Sequence, residues 1–323
     1  MDTATHVMTG VGLAGLSFLD PTMANHPELL SSMLFCTIVG SNAPDIDIIH
    51  KWKGNDIYVQ KHRGFSHSIP AQAMLIFCIA GSATMVNGGL YFSTFLLWTC
   101  LAVLLHVISD IFNIYGTQAL RPLCNTWIAL NILPIFDPFI MSLHLLGTFL
   151  WLSGLSPGIV FSYMYILILI YVLLRYVIQR MIKRKLLSKR DSGVTYTLIP
   201  MFRIDHWGII ASLNDRYKLG KYENGRISWS KDIMKADEKS NIIRASKKNT
   251  FVHFIKKQSD CIHAKIIEKM DGYEVHWYDL RYQSRIDEPY VAIIKLDQKL
   301  NFVHSEIKRG FIKPTESAEQ GMK

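Results

Sequence analysis

Among the metal-ligating side chains of the first 110 residues, seven fall in polar clusters that interrupt the apolar runs: His6, Asp45, Asp47, His62, His67, His106 and Asp110. Imidazole together with carboxylate suits zinc, manganese or iron, and no cysteine stands at these positions to make a purely structural thiolate site. An ion held this way would polarise an ester or phosphoryl oxygen and lower the pKa of a bound water, giving a nucleophile at neutral pH. Four histidines and three carboxylates exceed the three or four ligands that one catalytic zinc needs, so a two-metal site is within reach.

Spacing sharpens the reading. His106 and Asp110 are four apart, so on a helix both leave the same face and can share one ion or each other. His62 and His67 bracket Gly64, which can turn the backbone so that both rings face one point. Asp45 and Asp47 follow Pro44, which suits an extended or turning segment whose alternate side chains point the same way. Each piece alone also has an ordinary explanation: a structural His-Asp hydrogen bond, a lipid-headgroup contact, a helix N-cap, an interfacial histidine at His6. Arg63 could grip phosphate or carboxylate through its planar fork. Asp137 could orient a ligand histidine or act as a base, although Asp137-Pro138 also reads as a helix start.

These residues need elements to bring them together, and the apolar pattern supplies them. Ala71–Val86, Leu90–Ile108, Phe139–Leu155 and Ile159–Ile178 are almost free of charge and read as four membrane spans, the first and third of them short. Val7–Leu19 and Leu29–Val39 are shorter still and read as a half-buried hairpin against the bundle, and Leu123–Phe136 as an interfacial segment held by Trp127. The connections Asn87-Gly88-Gly89 and Ser156-Pro157-Gly158 carry no charge, whereas Lys51, Lys53, Lys61, Arg63 and Arg121 fall in the other segments. The positive-inside rule then puts both termini in the cytoplasm, and all the candidate ligands at the cytoplasmic side with them. The N-terminus lacks a basic region and a small-residue cleavage site, so a cleaved signal peptide is not expected.

Charge divides the chain. Up to Gln179 there are six basic and eight acidic residues; from Arg180 onward there are 29 and 18. A basic run directly after a long apolar segment is a stop signal, so residues 180–194 read as a juxtamembrane linker. Beyond it, short runs at Thr195–Ile199, Phe251–Ile255, Tyr273–Tyr278, Tyr290–Leu296 and Leu300–His304, punctuated by Asn224-Gly225 and Asp271-Gly272, predict an antiparallel β-rich soluble domain over residues 195–314. Residues 315–323 read as a disordered tail. The five scattered cysteines imply neither a disulfide framework nor a thiolate zinc site.

The pieces Thr5-His6, Pro44-Asp45-Ile46-Asp47, His62-Arg63-Gly64-Phe65-Ser66-His67-Ser68, His106 with Asp110, and Asn113-Ile114-Tyr115-Gly116-Thr117 resemble the bacterial membrane-bound metal-dependent hydrolases of the YdjM and YfhP type. Trp277-Tyr278-Asp279-Leu280-Arg281-Tyr282 looks like the cytosolic extension of the YfhP-like branch. The matching pieces of the first half cover roughly its first 140 residues, residues 1–179 are expected to form the membrane-embedded hydrolase domain, and the resemblance supports metal binding better than turnover. The order Asp, His, His-x-x-x-Asp is also similar to that of zinc-dependent phospholipase C and related nucleases, which suggests phosphoester chemistry by analogy.

The leading expectation is a metal-dependent hydrolase of phosphoester or other ester bonds, lipid-linked ones included, acting at the cytoplasmic face of the cell membrane with zinc or manganese. His62, His67, His106 and Asp110 are its core ligands, with His6, Asp45 and Asp47 completing a second position. Asp47, Arg63 and Asp137 are the candidate catalytic groups, and Arg63 or Tyr115 would meet the substrate. The main alternative is a non-catalytic scaffold or regulatory protein in which the same polar cluster holds the helices together. A third reading makes Lys231, Lys235, Arg244, Lys247 and Lys248 a nucleic-acid or anionic-lipid surface. It ranks lowest, because a domain beside an anionic leaflet is basic in any case, and no nucleic-acid partner is expected.

Overall fold

The computed structural model describes residues 1–53, 57, 62–188, 193–282 and 290–309. The tail at 315–323 and the linker residues Lys189 and Arg190 lie outside these residues. The chain divides into two compact units, Met1–Ile233 and Met234–Lys323.

The first unit opens with α1 (Thr3–Leu16), α2 (Pro21–Asn25) and α3 (Leu30–Gly40). Asp2 caps α1 by accepting the Thr5 amide at 3.1 Å. The two apolar pieces expected as a hairpin are α1 and α3, which pack on each other. α1 also packs against three of the four long helices that follow, so it runs through the interior of the bundle. Its glycines permit this. A Cβ on Gly10 would stand 2.6 Å from the Ile38 Cα, and one on Gly15 would stand 2.2 Å from the Phe161 ring.

A 3-10 segment (Ala43–Lys53) and a 3-10 turn (Phe65–His67) precede α4 (Ile69–Val86), α5 (Phe92–Phe112), α6 (Pro138–Leu152) and α7 (Pro157–Leu187). Three of these, α4, α5 and α7, are long and apolar enough to cross a membrane. The fourth expected span, α6, has 15 residues and a length of about 22 Å, short of the roughly 30 Å of a bilayer core. Outward-facing Leu97, Leu104, Leu145, Ile166, Leu169 and Leu173 are all exposed, the reverse of a water-soluble helix bundle and the surface that acyl chains would cover.

At 31 residues α7 runs about 46 Å, well beyond a bilayer core. Its last turns bury Ile182 and Leu186 under Leu198, Trp207 and Ile209 of a four-stranded sheet, β1 (Thr195–Pro200), β2 (His206–Ser212), β3 (Arg216–Glu223) and β4 (Arg226–Met234), in that order. The junction is polar as well. Fully buried Arg175 donates to the Ile132 and Met201 carbonyls, both at 2.9 Å, and its guanidinium lies 5.1 Å from the Trp207 ring.

The second unit is an antiparallel sheet in the order β5 (Ile262–Lys269), β6 (Gly272–Asp279), β7 (Tyr290–Asp297) and β8 (Phe302–Arg309), with helices α8 (Asn241–Lys247) and α9 (Thr250–Gln258) packed on it. Helices followed by antiparallel sheets are the expected architecture. One expected strand is corrected: Phe251–Ile255 lies in α9. Asn249 caps that helix by accepting the Phe251 amide, and Phe251, Val252 and Ile255 are buried at helical spacing, which a five-residue apolar run cannot distinguish from a buried strand. Leu300, expected to begin a strand, instead has φ 65° in the turn before β8.

Candidate metal centre

The site is built on the end of α5. His106 and Asp110 point the same way one turn apart, and neither is more than 1% exposed. The 3-10 turn after Gly64 brings in His67, fully buried, and the Ala43–Lys53 segment brings in Asp45. Four atoms converge. His67 Nε2 is 3.3 Å from His106 Nε2 and 3.4 Å from Asp110 Oδ2, and His106 Nε2 is 3.6 Å from that same Oδ2. Asp45 Oδ1 is 3.7 Å from each imidazole nitrogen.

Ligands about 2.0–2.1 Å from a tetrahedrally bound zinc stand about 3.3–3.4 Å from one another, and the five spacings here lie at or a little beyond that, from 3.3 to 3.7 Å. Three further observations agree. Asp45 Oδ1 and Asp110 Oδ2 are buried with no hydrogen-bond partner, a costly state for a carboxylate unless an ion meets it. His106 Nδ1 lies 2.7 Å from the Ser41 carbonyl, so that nitrogen carries the proton and Nε2 presents its lone pair inward. Burial holds His67 below its ordinary pKa, against the pull of Asp110, which keeps the ring neutral as a ligand must be.

A second donor group, Asp45, Asp47 and His62, shares Asp45 with the first, the donor atoms lying within 4.8 Å of one another. The sequence leads one to expect the two aspartates on an extended strand, facing one way. The segment is instead a 3-10 helix, and Asp45 faces His67 and His106 while Asp47 faces His62, the two carboxylates remaining close enough to share the second donor group. Asp47 also ties down the loop, accepting from His62 Nδ1 at 2.8 Å and from the Arg63 amide and Ser66 Oγ at 2.9 Å each. Burial opposes its ionisation, but these bonds prevail and hold its carboxyl below the usual range.

The remaining expected residues are placed as follows. His6 stacks on His106 with ring centroids 3.9 Å apart, and its Nε2 stands 3.6 Å from Asp110 Oδ1. Arg63 turns its guanidinium inward to Asp110 Oδ1 and Asn113 Oδ1, both at 3.2 Å, and lies over the Tyr115 ring. The Met1 amine meets Asp110 as well. Asp137 is not brought to either donor group. It caps α6 through the Phe139 and Ile140 amides and takes bonds from Tyr171 and Arg175, so Asp137-Pro138 is a helix start. His62 belongs to the second group rather than to the core of the first.

Three further residues at the site, Ser41, Ser66 and His50, escape sequence reasoning. The carbonyl of Ser41 carries no side-chain signature, while Ser66 lies inside the His62–Ser68 motif, which is the signal that could have found it. His50 faces a cleft of about 540 Å³ that Asp47 also lines.

A bundle of apolar helices closing on a buried cluster of histidine and aspartate defines a membrane protein with a site able to hold a metal ion. The chain belongs to the YdjM inner membrane protein family, which it matches over residues 1–182. Residues 241–315 match the YfhP C-terminal alpha/beta plait domain. The chain is similar to the YfhP protein of Bacillus subtilis (strain 168), with 35% identity over 302 residues, covering 93% of this chain and 92% of that one. No solved structure matches it.

Proposed function

We propose that this protein is a multi-pass membrane hydrolase that uses one or two divalent ions, zinc first and manganese second, to cleave a phosphoester or other ester bond at the cytoplasmic face, with both chain ends on that side. The observation that carries the reading is the convergence of Asp45, His67, His106 and Asp110, with donor atoms within 4.8 Å of one another and two unpartnered carboxylate oxygens. An ion bound there would supply Lewis acidity and an activated water. Asp45, shared by both donor groups, is the residue that would bridge two ions. Asp47 and His62 would hold the second position, Asp47 fixing the imidazole's orientation through Nδ1. Arg63 is a positioning residue: it balances the Asp110 charge and is spent on Asp110 and Asn113.

The scaffold reading has its own support, because Arg63 already pairs with Asp110 at 3.2 Å. Two measurements on detergent-purified protein separate the readings: elemental analysis, and a phosphoesterase screen before and after chelation. The hydrolase reading requires bound metal and turnover that chelation abolishes while the helical circular-dichroism signal persists. Protein that folds without metal, takes none up and hydrolyses nothing is a scaffold.

A further inference from the structure

The cleft beside the second donor group has two chemically different walls. Asp47, His50 and Arg121 are polar, and His50 Nδ1 is a buried nitrogen without a hydrogen-bond partner. Ile46, Ile49 and Phe65 are apolar and exposed, Phe65 at 70%. An apolar wall open to water is costly unless something covers it. Its location says what does. Phe65 lies four residues before Ile69, the exposed first residue of the membrane-crossing helix α4, so the cleft opens where that helix leaves the bilayer. Nearby Trp52 is 90% exposed, next to exposed Lys51, and an indole beside a lysine is a pairing typical of the headgroup level of a membrane.

We propose that the cleft admits a phosphate-bearing lipid from the adjoining leaflet. Its phosphate would meet Arg121 and His50 next to the Asp47 donor group, and the start of its chain would cross Ile46, Ile49 and Phe65. The volume suits a head and the first part of one chain, the remainder staying in the bilayer. Arg121 supplies the charge complement, and a chainless phosphoester would leave the apolar wall bare. The assignment rests on the hydrolase reading for the role of the bound lipid, but not for its binding.

The test uses full-length protein in phosphatidylcholine nanodiscs with phosphatidic acid carrying a photoreactive diazirine on its acyl chain, followed by peptide mapping. Labelling is expected to concentrate in the peptides that carry Ile46, Ile49 and Phe65, to fall several-fold with excess unlabelled phosphatidic acid, and to be indifferent to glycerol phosphate. A double I49Q/F65Q variant should lose that labelling while the other helices label as before, which also shows that it folds. R121Q should erase the preference over a diacylglycerol probe. Labelling spread evenly along the lipid-facing helices, or competition by glycerol phosphate as effective as by the lipid, overturns the proposal. Specific labelling without turnover of phosphatidic acid or of any phosphoester screened supports the lipid site and sinks the hydrolase reading alone.

Discussion

His67 on a 3-10 turn and His106 on a membrane helix, 39 residues apart in the chain, present their Nε2 atoms to each other at 3.3 Å. Each ring has its other nitrogen engaged, His106 with the Ser41 carbonyl and His67 with Ser66 Oγ at 3.1 Å. Two inward lone pairs at that distance repel unless a proton or a cation lies between them, and the nearby Asp45 and Asp110 oxygens favour the cation. Elemental analysis of the wild type is expected to find tightly bound zinc or manganese, and His67→Ala and His106→Ala should each remove most of it. Retention of full metal content by either variant would place the ion elsewhere.

Asp47 separates the two donor groups experimentally. Asp47→Asn removes a carboxylate from the second group only, so metal content should fall by about one equivalent while the ion at His67 and His106 stays. Loss of the hydrogen bond that orients His62 is by itself expected to weaken affinity by about 10–100-fold. Isothermal titration of metal into the apo protein reads both effects, and an unchanged two-site isotherm would rule out a second ion at this group.

Gly10 tests whether α1 is an integral part of the site. Gly10→Val puts a branched side chain where a Cβ alone would stand 2.6 Å from backbone, so α1 must withdraw and carry His6 with it. Overpacking of this kind costs about 1–3 kcal/mol. Thermal unfolding in detergent should register the loss, and metal affinity should fall with it although no ligand has been changed.

Arg175 and Asp137 form a fully buried pair, 3.4 Å apart, away from the donor groups. Arg175→Met leaves the Asp137 charge without its main partner, a change that typically costs about 3–5 kcal/mol. Metal stoichiometry at low temperature should be unaffected. If instead Asp137→Asn abolishes hydrolysis without lowering the melting temperature, Asp137 is catalytic after all.

The second unit carries a pH dependence of its own. Burial lowers the pKa of His276 in β6 below its ordinary 6.5, with Glu274 pulling the other way. Its folded form thus binds fewer protons than its unfolded form, so this contribution to stability is complete above about pH 6.5 and is lost as pH falls through the folded value. Amide exchange in β6, corrected for the intrinsic pH dependence of exchange, should quicken between pH 7.5 and 5.5. His276→Gln should flatten the response.

Much of the architecture is legible in the sequence. The charge-free runs locate the helices because a bilayer tolerates little else, and the i, i+4 spacing of His106 and Asp110 guarantees a shared face because helix geometry is local. Asn224-Gly225, whose residues adopt φ values of 49° and 79°, marks a hairpin for the same reason. Phe251–Ile255 misleads because a short apolar run carries no period.

By itself, then, the sequence determined the membrane character of the first half, the identity of the candidate ligands and the antiparallel strands that follow. Tertiary structure alone decided which ligands meet. That depends on α1 sinking between its neighbours through its glycines, on two 3-10 segments bringing Asp45 and His67 against His106 and Asp110, and on Asp137 being buried against Arg175. Each is a contact between residues far apart in the chain, set by packing and charge balance in the folded bundle, and no local pattern encodes it.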